Sequence, residues 1–172
     1  MSLQLELVSS TAGASTLTFF KNMRILILPL ILLVSLMTAG CDLKFGDDVE
    51  LSGAAFDSAK LAEVSTLTGI NFPPGARGIE YYYLGSGIDD ALAAKVMIPD
   101  AAINEFKSNT VMTTGTDSRA SIQIGRGKPW WKVDGLTDRI DRKLDLPNAR
   151  FLEITCGREG SDFVVYLTWI TM

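Results

Sequence analysis

Histidine is absent from all 172 residues of the sequence. Histidine is the commonest general base in enzymes and the commonest zinc ligand in proteins. Its absence therefore removes the usual form of both chemistries, and we expect neither a metal centre nor a cofactor.

A long membrane-spanning run is also missing. The main apolar stretch covers residues 25–40, which is 16 residues, whereas a bilayer span needs roughly 20. Lys21 and Arg24 precede this stretch, and small residues end it at 38–40, directly before Cys41. A basic end, an apolar middle and a small-residue cleavage site are the three parts of a secretory signal. The alternative is an uncleaved membrane helix that happens to end in a cysteine.

Ala39, Gly40 and Cys41 make the signal more specific, because they resemble the lipobox of bacterial lipoproteins. That resemblance implies cleavage before Cys41 and a diacylglyceryl group on its sulfur, with palmitate or a related chain on the new amine. The domain would then be anchored to a membrane of the cell envelope rather than span it. In a Gram-negative host, Asp42 resembles the signal that retains such proteins at the inner membrane.

The resemblance divides the chain. Residues 1–40 are leader and signal peptide, with Met23 as a more ordinary start than Met1. Residues 41–55 are acidic and carry two glycines, which indicates a lipidated tether whose second half can form an edge strand. Residues 56–172 are long enough for one domain.

The mature chain lacks an excess of positive charge. Removing Lys21, Arg24 and Glu6 from the totals of 16 basic and 20 acidic residues leaves 14 and 19, a net charge of −5. A nucleic-acid-binding protein needs a basic footprint, so no nucleic-acid partner is expected. Cys156 is then the single thiol of the mature chain, either reactive or buried; its alternation with Leu152 and Ile154 favours burial in a strand.

Hydrophobic periodicity predicts an α+β fold. Strands are expected at 77–84 and 91–98, forming one hairpin, and at 150–156 and 163–170, forming a second. Helical spacing is expected at 56–68, 99–107 and 136–144, a polar loop at 108–117, and a third strand at 120–124. The result is an antiparallel sheet of four to five strands with two or three short helices packed on it. The stretches FPPGAR…GIDDALAAKV and LPNARFLEI…VVYLTW also resemble small bacterial proteins of no assigned activity.

Positive charge is concentrated in one part of the mature chain. Residues 119–150 hold eight basic and four acidic side chains, a net of +4, around the adjacent pair Trp130 and Trp131. In an extended segment Arg126, Lys128 and Trp130 share one side, and Trp131 points to the core. These three residues form our candidate binding surface, suited to lipid headgroups, anionic glycans or an acidic protein. The alternative is that both indoles pack and the charges are merely solvated.

Other candidate sites are weaker. The run GRGK lacks the Walker spacing of a phosphate loop. Asp89 and Asp90 supply fewer oxygens than calcium requires. Glu80 and Glu153 are the carboxylate types that glycosidases pair, but outward strand positions predict a solvated face.

We therefore expect a membrane-anchored envelope lipoprotein with a non-catalytic binding domain. A protein partner is favoured, with this protein acting as an immunity-type inhibitor or as an assembly accessory. The alternative function is a small envelope hydrolase that uses carboxylates or a Ser/Lys pair.

Overall fold

The computed structural model describes residues 46–85, 89–119, 121–122 and 124–172, and all of them fall within one unit, Lys44–Met172. Cys41, the signal and the start-site prediction lie outside the described residues, as do the loop positions 86–88. No helix in the described part of the chain has the length and hydropathy needed to cross a bilayer.

Six antiparallel strands make one open sheet. They are β1 (Val49–Ser52), β2 (Arg77–Leu84), β3 (Ala91–Ile98), β4 (Thr137–Leu146), β5 (Arg150–Glu159) and β6 (Asp162–Thr171). Their spatial order is β1-β2-β3-β6-β5-β4, so the last strand along the chain lies in the interior of the sheet. Both predicted hairpins are confirmed. The edge strand β1 lies inside the range predicted as tether, so the sheet begins ahead of residue 56.

Three short helices complete the α+β fold: α1 (Ser58–Thr68), α2 (Ile103–Lys107) and α3 (Thr110–Thr114). The Asp57 side chain caps α1 by accepting from the backbone N–H of Lys60 at 2.9 Å. Gly69 ends that helix in the left-handed conformation, at φ 72°. The turn between β5 and β6 likewise uses a left-handed glycine, Gly160, at φ 64°.

The apolar core lies on one face of the sheet. Alternate residues of β3, β5 and β6 point into it, and the helices add Val64, Phe106 and Met112. Cys156 is fully buried there beside Leu152 and Ile154, which confirms the prediction from alternation. Burial raises the pKa of its thiol to about 12, so the group is held in its neutral form.

Three predictions of secondary structure are wrong, and the sheet has six strands instead of the expected four to five. The range 136–144, predicted as a helix, belongs to strand β4 from Thr137 onward, because a spacing of four residues keeps side chains on one face of a strand as well as of a helix. The predicted loop at 108–117 contains α3, which buries Val111 and Met112. In the predicted strand 120–124, Ser121, Ile122 and Ile124 are not in a strand, while Ala120 and Gln123 lie outside the described residues.

Candidate functional site

The second face of the sheet carries polar side chains in register. Cross-strand pairing places one residue from each strand in a row across all six strands, in the order Glu50, Tyr82, Ala93, Thr168, Glu153, Lys143. Strand neighbours are about 4.8 Å apart, so the row from Glu50 to Glu153 spans roughly 19 Å. The described residues 121–122 and 124–131 cover this face, and we call them the crossing segment.

Glu153 holds one end of the crossing segment. Its carboxylate is 1% exposed and accepts three hydrogen bonds of 2.7 Å: from the backbone N–H of Ser121, from the Ser121 hydroxyl and from the backbone N–H of Ile122. The Lys143 ammonium lies 3.5 Å away. A buried charge needs such partners, and charge-assisted hydrogen bonds are among the stronger ones. The predicted solvated position of Glu153 is therefore wrong, because the crossing segment covers it.

Lys128 holds the segment at the opposite side of the sheet. Its Nζ donates to Glu50 on β1 at 2.9 Å and lies 3.8 Å from the centroid of the Tyr82 ring. The hydrogen bond to Glu50 raises the pKa of the Lys128 ammonium. Glu50 keeps 54% of its side chain exposed, so water screens this ion pair.

The two tryptophans make a third contact with the sheet. Trp131 packs edge-on against Tyr166 of β6, with ring centroids 5.2 Å apart, and Trp130 packs edge-on against Trp131 at 5.5 Å. Gly125 leaves the space for this arrangement, since a Cβ there would lie 2.2 Å from the Trp131 ring. Trp131 thus packs on the covered polar face, and its predicted place in the main core is wrong.

A charged group lies beside the hydroxyl of Tyr166. Glu159 accepts from the Lys95 ammonium at 2.6 Å and from the Tyr166 hydroxyl at 2.9 Å. Burial raises the pKa of Glu159, but the hydrogen bonds from Lys95 and Tyr166 outweigh it and leave the pKa lowered. Burial and the same carboxylate raise the pKa of Tyr166.

The crossing segment turns instead of running extended. The backbone N–H of Lys128 donates to the carbonyl of Gly125, and that of Trp131 donates to the carbonyl of Lys128. These turns separate the predicted site residues: Arg126 is exposed, Lys128 bends toward the sheet, and Trp130 is half-buried. The structure therefore brings Arg126 and part of Trp130 to the surface and uses Lys128 as a tie.

One further depression bears on chemistry. It is an apolar groove of about 460 Å³ beside the start of α1, lined by Phe56, Leu61 and Ile79, and its lining contains a single carboxyl, the helix-capping Asp57. Within residues 46–85, 89–119, 121–122 and 124–172, no three His, Cys, Asp or Glu side chains are placed to hold a metal ion.

Neither a family model, nor a curated protein, nor a solved structure matches this chain. The site must therefore be interpreted from its own geometry.

Proposed function

We propose that this protein is a lipid-anchored envelope lipoprotein whose domain binds a protein partner through the outer surface of the crossing segment. The order of residues from Arg24 to Cys41 supports the anchor. One structural observation carries the binding role: a turn-rich segment is tied to the sheet at Glu153, at Glu50 and at Tyr166, while Arg126 remains exposed on it. A pre-ordered loop with an arginine and an indole is a favourable interface anchor.

Mixed charge favours a protein over a bilayer or an anionic glycan. Arg126 of the segment and Lys132 directly after it are exposed cations. Two acidic residues are exposed nearby, Glu50 on β1 and Asp48 just before that strand. The two cations would attract a uniformly anionic surface, whereas the two carboxylates would repel it. A protein can present both signs in matching positions, with acidic groups opposite Arg126.

Binding also accounts for the carboxylates better than hydrolysis does. A general acid usually needs a raised pKa, whereas the pKa of Glu159 is lowered by its partners. Glu153 already accepts three hydrogen bonds within the protein. Glu153 thus holds the covering segment, and Glu159 joins Lys95 and Tyr166 on the sheet.

The test is photo-crosslinking from the full-length, membrane-anchored chain. A photo-reactive residue at exposed Lys132 should give a discrete crosslinked envelope protein, whereas one at exposed Glu105, on α2 at the other face of the sheet, should not. In the Lys132 background, Arg126→Glu should lower the crosslinking yield about ten-fold, since loss of an interface anchor commonly costs 1–3 kcal/mol.

Lys107→Glu is the matched control, because it reverses an exposed charge on α2. Lys128 is left unchanged, since its replacement would break the tie to Glu50. Equal crosslinking from positions 132 and 105, or equal loss with Arg126→Glu and Lys107→Glu, would contradict the proposed surface.

A further inference from the structure

Glu153 lies beneath the crossing segment and contacts it at Ser121 and Ile122. We propose that Glu153 is the positioning residue that orders the crossing segment for partner binding. This inference rests on the proposed function and names the residue on which the shape of the surface depends.

The three ties of the segment differ in their surroundings. Lys128 and Glu50 keep 27% and 54% of their side chains exposed, so their ion pair competes with water. Glu153 is 1% exposed, and its carboxylate has lost its own hydration. Three short hydrogen bonds to a buried carboxylate contribute more than one screened surface ion pair, so we expect the Ser121 end to be held more strongly than the Lys128 end.

The position of Ser121 in the chain explains how its bonds to Glu153 affect Arg126. Ser121 lies five residues before Arg126, and the segment crosses four strand spacings between Glu153 and Glu50. With the Ser121 end released, the weak Lys128 pair and the packing of Trp131 would have to fix the path alone. Arg126 would then sample many positions, and binding would require re-ordering the loop.

The hydrogen bonds of Glu153 lie on the opposite face of the sheet from the apolar core. Leu152 and Ile154 flank Glu153 and point into the apolar cluster on the other face, whereas Glu153 points to the crossing segment. A change in the charge of Glu153 therefore acts first on the covering segment and leaves the apolar cluster in place.

Hydrogen exchange of the full-length chain tests the inference without needing the partner. Glu153→Gln keeps the side-chain size and removes the charge; it should raise amide exchange about ten-fold across residues 121–131, as expected when a local tie is lost. Ser121→Ala removes the hydroxyl, which donates one of the three hydrogen bonds to Glu153. It should give a smaller rise in amide exchange than Glu153→Gln. Glu80→Gln is the control, since it removes a carboxylate charge from β2 at a position that is not one of the three ties.

Exchange in β3 and β6 should stay at the wild-type level in all three variants, and crosslinking from position 132 should fall with Glu153→Gln. Unchanged exchange of the crossing segment in Glu153→Gln and Ser121→Ala would overturn the inference, and so would an equal rise in β3 and β6. A released segment with full crosslinking yield would also overturn it. Absence of any crosslink from the wild-type chain would instead refute the proposed function, while the exchange result would still decide the role of Glu153 in ordering the segment.

Discussion

At the scale of single residues, the covered polar face is held together by carboxylates with defined donors. Glu153 has the two backbone N–H groups and the hydroxyl of the segment, and Glu159 has Lys95 and Tyr166. The charged form of Glu159 accepts more strongly from Lys95 and Tyr166 than the neutral form does. We therefore expect the stability of the fold to depend on pH through Glu159.

Glu159→Gln tests that dependence. The folded-state pKa of Glu159 lies below its ordinary value of 4.5, so its charged form stabilises the fold above that pH, and this contribution is lost as pH falls through the lowered pKa. At pH 7 we expect Glu159→Gln to lower the melting temperature by about 4 °C, in line with the loss of roughly 1 kcal/mol.

The difference between Glu159→Gln and wild type should shrink as pH is lowered from 7 to 3, as measured by circular dichroism melts. Glu105→Gln, at an exposed position of α2, should follow the wild-type profile throughout. A constant difference at every pH would show that the Glu159 charge does not stabilise the fold.

The sequence predicts the burial of Cys156 correctly and the exposure of Glu153 wrongly, and both outcomes have one physical reason. Alternation shows to which face of a strand a residue points, and it placed Cys156 with Leu152 and Ile154 correctly. It does not show whether the other face is covered. The groups that cover Glu153 lie about 30 residues earlier in the chain, at Ser121 and Ile122, where neither a helical nor a strand pattern indicates a contact.

At the scale of elements, the crossing segment is shaped by the close approach of Gly125 to Trp131. A Cβ at position 125 would meet the indole at 2.2 Å, so Gly125→Ala must move Trp131 away from Tyr166. We expect a loss of about 1–3 kcal/mol in urea unfolding and a changed indole N–H resonance for Trp131.

Gly135→Ala is the matched control for this change, because a Cβ at Gly135 would meet nothing within 4 Å and its backbone is not left-handed. It should alter stability by less than about 0.5 kcal/mol. Equal effects at positions 125 and 135 would show that the packing of Trp131 on Tyr166 does not shape the segment.

Element prediction succeeded where local signals agreed and failed where they were ambiguous. A side-chain cap at Asp57, a terminal Gly69 and apolar spacing all indicate α1, and the helix is there. For β4, the spacing of Leu136, Ile140 and Leu144 fits either element, and pairing of Ile140 with Cys156 decided for the strand. That pairing partner is distant in sequence, so local periodicity could not include it.

At the scale of the whole molecule, the proposed anchor at Cys41 precedes β1 by eight residues. We expect mass spectrometry of the membrane fraction to find an acylated N-terminus at Cys41, and Cys41→Ser to release the domain or leave an uncut precursor. Cys156→Ala, which keeps the other thiol position apolar, should remain membrane-bound. An unmodified mature N-terminus at another residue would refute the lipoprotein proposal.

The interior position of β6 has a consequence for how the chain acquires its fold. Its two neighbours, β3 and β5, belong to separate hairpins, and the pairing of Ala94 with Leu167 joins residues more than 70 positions apart. Such non-local pairing makes folding slow, and the β2–β3 hairpin cannot join the β4–β5 pair before β6 is present. We expect that a chain exported N-terminus first by the proposed signal closes its sheet only after residues 162–171 have left the translocation channel.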